Sequence, residues 1–184
     1  MNNKHTTKGF TIIELIVVIA IISLLAVIVT ASLQTARTKA QNATRLSNID
    51  QINKALEIYA TASGTNAPPN TLGTVCLGSS APSNYVCNDP GGHADATIDN
   101  ALKQYLAGNI IPKDPTLSGV YGSTYYYTFN SPAITQGDCS ATTCPTGTYL
   151  KWAMDGTTGN CGRGVWTYNL PNPSRDICVL RITN

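Results

Sequence analysis

At 184 residues the chain accommodates one soluble domain behind a single anchoring segment. Twelve basic and ten acidic side chains leave a formal net charge of +2, which lacks the basic excess that marks a nucleic-acid-binding module. With two histidines and no phosphate-cradling glycine loop, neither a Ser-His-Asp set nor a nucleotide site can be assembled, so an enzyme and a bound cofactor are not expected.

A polar leader, Met1 to Gly9, runs directly into the apolar block FTIIELIVVIAIISLLAVIVTA, Phe10 to Ala31. About 20 helical residues span a ~30 Å hydrocarbon core, so this block is long enough to cross a bilayer. A signal peptide is the plainer account of a basic leader and an apolar run. Its apolar region, however, is 7–15 residues long and ends at a small-residue cleavage site, and this block exceeds that length. The block contains one charge, Glu14. An ionised carboxylate inside a membrane costs several kcal/mol unless it is partnered, so a plain anchor has no use for it.

The run Lys8 to Ala26, K-G-F-T-x-I-E-L-x-V-x-x-A-I-I-x-x-L-A, resembles the N-terminal signature of type IV pilins and pseudopilins. The resemblance implies cleavage between Gly9 and Phe10 by a prepilin peptidase, N-methylation of Phe10, and an assembly role for Glu14. It also implies a filament made of copies of this chain or of related pilins. The freed amine of Phe10, with an unperturbed pKa of ~7.7–8.0, would be protonated and could neutralise Glu14 of a neighbouring subunit. The two groups lie four residues apart and could equally pair within one helix. Loss of the leader removes Lys4 and Lys8 and leaves ten basic against ten acidic side chains.

No proline or glycine occurs between Phe10 and Ala60, so one continuous helix of roughly 75 Å is expected. Many pilins carry a proline near the end of the apolar half, where this chain has Ala31. From Leu33 the apolar positions Ala36, Ala40, Ala43, Leu46, Ile49, Ile52, Leu56 and Tyr59 form one stripe. Arg37, Lys39, Arg45, Asp50, Lys54 and Glu57 are read as mostly off it. The expected organisation is a leader at 1–9, a transmembrane and filament-core helix at 10–31, an amphipathic continuation at 32–60, and a globular head at 61–184.

Thr61 to Pro90 reads as a loop region rich in Gly, Pro, Asn, Ser and Thr. Ile98, Leu102, Tyr105 and Leu106 then repeat at helical spacing, with Gly108 placed to end the helix. The run from Tyr105 through Asp114–Pro115 to the tyrosines resembles the helix-to-sheet connection of major pseudopilins. Four strands are expected at Tyr125–Phe129, Thr148–Met154, Val165–Tyr168 and Ile177–Ile182. Leu150, Trp152 and Met154 would share one face and pack on the helix stripe, and Trp166 and Tyr168 would share a face. Tyr125 to Tyr127 suit core-facing strand positions better than an adhesive surface. Helix first and strands after give an α+β fold, a long N-terminal helix on a C-terminal antiparallel sheet, as in pilins.

Six cysteines, Cys76, Cys87, Cys139, Cys144, Cys161 and Cys178, all follow the apolar helix. An even number behind an export signal points to disulfides and an oxidising compartment. No C-x-x-C occurs, which disfavours a metal site. Fifteen pairings are possible, of which sequence order suggests 76–87, 139–144 and 161–178. The segment MDGTTGNCG fails the spacing of a calcium loop, with Asp155 and Asp176 the only nearby acids. The basic residues flanking the apolar block are nearly balanced, and the cysteines place the head outside the cytoplasm. The expected course is a single-pass protein of the inner (cytoplasmic) membrane that ends in an extracellular pilus or a periplasmic pseudopilus. The alternative is a membrane-anchored extracytoplasmic binding module that does not polymerise.

Overall fold

A computed structural model of the chain describes residues 9–64, 69–71, 73–78, 93–115, 125–131, 147–156, 160–169 and 175–183. It contains α1 (Ile12–Ala62), β1 (Thr74–Cys76), β2 (His93–Ala94), α2 (Ala96–Lys103), β3 (Tyr125–Ser131), β4 (Gly147–Asp155), β5 (Val165–Asn169) and β6 (Arg175–Thr183). A long helix followed by a small, mainly antiparallel sheet is the α+β, pilin-like layout. Two compact units are distinguished, Met1–Lys39 and Ala40–Asn184.

In the first unit, α1 runs without a break from the membrane-length apolar block, as a segment lacking proline and glycine should. Two hydroxyl side chains in the apolar stretch of α1 are satisfied by the helix backbone. Ser23 donates to the Ile19 carbonyl at 2.7 Å and Thr30 to that of Ala26, so neither leaves an unpaired polar group in an apolar stretch.

In the second unit, the sheet order is β2-β1-β3-β4-β6-β5. All the pairings are antiparallel except β1 with β2, a short parallel edge contact that the expected all-antiparallel sheet did not include. The four strands read from the aromatic and β-branched runs are present. The region expected as loop from Thr61 to Pro90 contributes β1, because Thr74, Val75 and Cys76 pair with Thr128, Tyr127 and Tyr126 of β3. Three residues are too short a run for period-2 alternation to register. Between Trp166 and Tyr168 the register of β5 on β6 slips, so the strict alternation assumed for that strand does not hold.

The core lies between the head half of α1 and one sheet face. Ile49, Ile52 and Leu56 of α1 pack with Tyr125 and Tyr127 of β3, Leu150, Trp152 and Met154 of β4, and Ile98 and Leu102 of α2. Both tyrosines are buried. The Tyr125 hydroxyl accepts from Asn48 Nδ2 at 2.9 Å, and that of Tyr127 donates to the Pro69 carbonyl at 2.6 Å. Burial pushes both phenols above their ordinary pKa.

The apolar stripe needs correction at two points. Leu33, Ala36, Ala40 and Ala43 are exposed, so helix packing against the head begins near Arg45. Arg45, expected off the stripe, is among the most buried side chains in the head. Its Nε donates to Asp114 Oδ2 at 2.8 Å and its Nη2 to Asp114 Oδ1 at 3.3 Å, while Nη1 lies 2.8 Å from Asp155 Oδ2 and donates to Asn42 Oδ1 at 2.8 Å. Burial works against the guanidinium charge, but the hydrogen bonds and charges of Asp114 and Asp155 outweigh it and hold the pKa above its usual value. Asn42 closes the cluster, donating to the Asp155 carbonyl at 2.7 Å and accepting from its N–H at 3.0 Å. Arg45 precedes Ile49, Ile52 and Leu56 at spacings of four, seven and eleven, so it occupies their helix face.

α2 is shorter than its apolar spacing suggested. Asp95 caps its start by accepting from Thr97 N–H at 2.8 Å, and the helix ends at Lys103. Tyr105 and Leu106 fall in the following turn, and Gly108 (φ 71°) with Asn109 (φ 53°) reverses the chain in the left-handed region. Cys161 and Cys178 form a disulfide across 17 residues of sequence, buried on the same face as Trp152. Cys76 is also disulfide-bonded. Cys87, Cys139 and Cys144 lie outside the described residues, and so do the pairings suggested for them.

Candidate functional site

The functional residues inferred from the sequence converge on the start of α1. Gly9 and Phe10 precede the helix, Thr11 is its cap, and Glu14 lies in its first turn. Gly9 has no steric need to be glycine, since a Cβ built on it meets nothing within 4 Å. It is also not among the glycines with positive φ. Folding of this chain therefore does not account for the residue type at that position. Phe10 is 94% exposed, and none of the described residues covers it.

Thr11 and Glu14 form a reciprocal cap. The Thr11 N–H donates to Glu14 Oε2 at 2.8 Å, and the Thr11 hydroxyl donates to the same oxygen at 2.7 Å. In return, Glu14 N–H donates to Thr11 Oγ1 at 3.3 Å. This is the S/T-x-x-E capping box, which satisfies two of the orphan N–H groups that every helix start leaves. Its negative charge lies at the positive end of the helix dipole. The spacing T-I-I-E was visible in the sequence, and reasoning that weighed only a Phe10 partner missed it. In the structure the intrachain partner of Glu14 is Thr11.

Beyond Glu14 the helix presents apolar side chains around its whole circumference. Leu15, Ile16, Val17, Val18 and Ile19 are each more than half exposed, as are Leu25, Val27, Ile28 and Val29 further along. None of the most apolar 18-residue stretch of this helix is buried by the chain. Apolar surface on that scale drives association with lipid or protein, at ~25 cal/mol per Å² removed from water.

The other residues singled out from the sequence are not gathered here. Asp155 is held by Arg45, and Asp176 is buried in β6. Among the described residues, no three His, Cys, Asp or Glu side chains cluster as a metal site.

Residues 4–30 match the family model described as the prokaryotic N-terminal methylation motif. That match supports a type IV pilin-like precursor. It covers the leader from Lys4 and all but the last residue of the apolar block, the segment in which Gly9, Phe10, Thr11 and Glu14 stand together. A membrane-anchored pilin fits both the motif and the exposed apolar helix. No curated protein and no solved structure matches the chain.

Proposed function

We propose that this chain is a structural, non-enzymatic subunit of a type IV pilus or pseudopilus. The leader is removed after Gly9 by a prepilin peptidase, and the new N-terminus at Phe10 is methylated. The subunit waits in the inner membrane with its head outside the cytoplasm, then joins a helical filament of itself or related pilins. One observation carries this reading: the methylation motif at residues 4–30 leads directly into a helix whose apolar surface the chain leaves uncovered. Gly9 supports it, because a glycine without a folding role fits a requirement imposed by a peptidase subsite.

In the filament, Glu14 of an incoming subunit faces the Phe10 amine of a neighbour. Two charges that are each unfavourable in an apolar setting then neutralise one another, which sets axial register more than it adds stability. The six cysteines, all in the exported head, form disulfides and suit an oxidising compartment.

The Thr11–Glu14 cap favours a second reading, a membrane-anchored binding module, since it gives Glu14 an intrachain use that needs no filament. Mass spectrometry of the mature protein tests the first step. The expected chain begins at N-methylated Phe10, and Gly9→Leu retains the leader. A chain beginning at Met1, or cut beyond Ala31, overturns the prepilin reading.

A further inference from the structure

Past the apolar block, α1 carries a second charged feature that the cap and the processing site do not use. From Leu15 to Ile49 the sequence contains no Asp or Glu, and its charged residues are Arg37, Lys39 and Arg45. Arg45 is buried in its ion-pair cluster. Arg37 and Lys39 are exposed, and neither has an ion-pair partner among the described residues. Among the described residues the helix therefore carries two positive charges without an ion-pair partner in the same turn.

Their depth is set by helix geometry. With the block Ile12–Val29 centred on a bilayer, the hydrocarbon ends ~15 Å from the midplane and the headgroup zone ~20–22 Å from it. At ~1.5 Å per residue the Cα atoms of Arg37 and Lys39 stand about 25 and 28 Å from the midplane. Helical side chains tilt toward the helix N-terminus, which here is toward the membrane. The long stems of Arg and Lys thus bring their charged ends back into the headgroup layer, with the stems lying along the helix. Two positions apart, the residues point ~200° away from each other around the axis, forming a collar rather than a stripe. Whichever way the helix rotates, one of them faces headgroups close by.

We infer that Arg37 and Lys39 form a headgroup-binding collar that selects anionic glycerophospholipids around the membrane-embedded subunit. The inference rests on the membrane-spanning reading proposed above. Phosphate oxygens satisfy both residues, the guanidinium as a fork and the ammonium as a point charge. A neutral zwitterionic lipid offers the same phosphate with a compensating cation, so the net charge of the lipid discriminates. The bilayer supplies this ligand as a ring at the depth of the collar, which a free phosphate ion does not.

The test uses the full chain in nanodiscs of mixed phosphatidylcholine and phosphatidylglycerol, with native mass spectrometry of the lipids that stay bound on release. Each basic residue near an anionic surface strengthens attraction severalfold, so the phosphatidylglycerol-to-phosphatidylcholine ratio of the lipid retained by wild type should exceed the bulk ratio by about an order of magnitude. R37Q/K39Q should lose most of that enrichment. Glutamine keeps helix propensity, and both sites are exposed, so the fold is undisturbed. Lys4 and Lys8 are common to both chains and supply an equal background. Retention in bulk proportion by wild type, or undiminished enrichment in the double variant, overturns the collar. If inorganic phosphate in pure phosphatidylcholine discs binds in an Arg37- and Lys39-dependent way to the same extent, the lipid is not the ligand and the inference also fails. Flotation with pure phosphatidylcholine liposomes separates the two levels: a chain that does not float overturns the membrane reading and the collar, whereas one that floats without anionic preference overturns the collar alone.

Discussion

Glu14 caps its own helix and, in the function proposed above, presents a charge to a neighbouring subunit; two substitutions separate the observed use from the proposed one. Glu14→Gln removes the charge and keeps the cap, because glutamine serves the capping box as glutamate does. Its side-chain carbonyl can still accept from Thr11 N–H, now 2.8 Å from Glu14 Oε2, and the bond falls from charge-assisted to neutral strength. Thr11→Ala keeps the charge and removes the cap, breaking the 2.7 Å and 3.3 Å bonds of the Thr11 hydroxyl. Loss of a cap costs about 1 kcal/mol, a factor of ~5, and frays one turn of a 51-residue helix. Loss of the charge leaves a neighbour's buried amine unpaired, a defect of about 3–5 kcal/mol at a buried site. Both variants should insert and be processed normally, Glu14→Gln more readily because the neutral side chain is easier to place in lipid. The measurement is the fraction of each processed variant recovered in sheared filaments against the membrane fraction. Glu14→Gln should fall by two orders of magnitude or more, and Thr11→Ala by no more than about fivefold. If Thr11→Ala is as defective as Glu14→Gln, assembly depends on the cap and the intersubunit charge pairing is wrong. If both enter filaments as wild type does, Glu14 serves only its own helix.

The head offers three further checks. Arg45→Ala removes the guanidinium that Asp114 and Asp155 share, and chemical unfolding of the full chain in detergent should show a loss of about 3–5 kcal/mol, with Arg45→Met milder because its stem preserves packing. Gly164→Ala should lower the melting temperature, since a Cβ there stands 2.3 Å from Trp152 Cη2 and overpacking typically costs about 1–3 kcal/mol. Asp99, whose carboxylate accepts the Gly78 N–H at 3.1 Å, is pushed by burial from 3.8 to about 6. Between those values the folded chain binds a proton that the unfolded chain releases, so this contribution to stability is present below ~4 and lost as pH rises through 6. Asp99→Asn should therefore melt above wild type at pH 7, with the difference closing as pH falls toward 4.

The first unit was legible because one rule governs it. A membrane-length apolar block without proline or glycine has a single structural outcome, and the motif at its start has fixed spacing. The head obeyed its local patterns where they were long: Leu150, Trp152 and Met154 face Ile49, Ile52 and Leu56 as alternation on one element and a three-four stripe on the other require. It departed from them where a tertiary partner decided the outcome. Arg45 belongs to the Ile49 face by spacing, but a charged residue there reads as solvated until Asp114 and Asp155 are seen to converge on it from distant parts of the chain. Ala40 and Ala43 fit the stripe by spacing, yet they stay exposed, and at that level the helix meets the sheet through Asn42 and Arg45 at Asp155 instead. β1 exists because β3 offers it an edge, not because three residues specify a strand.

The cap sharpens what remains to be explained about Glu14. Any side chain with an acceptor oxygen at the third helical position closes the box with Thr11, and glutamine would do so without carrying a charge into an apolar stretch. Proximity to the helix dipole recovers only 0.3–1 kcal/mol of the charge's burden at an exposed site. The burden itself is several kcal/mol for an ionised carboxylate at membrane depth. A protein selected only to be anchored and capped therefore gains more from glutamine. The residue present is glutamate, four positions after a phenylalanine that would gain a cationic amine on the proposed processing at Gly9. The capping geometry accounts for an acceptor at position 14 but not for its charge, and the proposed pairing between subunits would supply the reason for that charge.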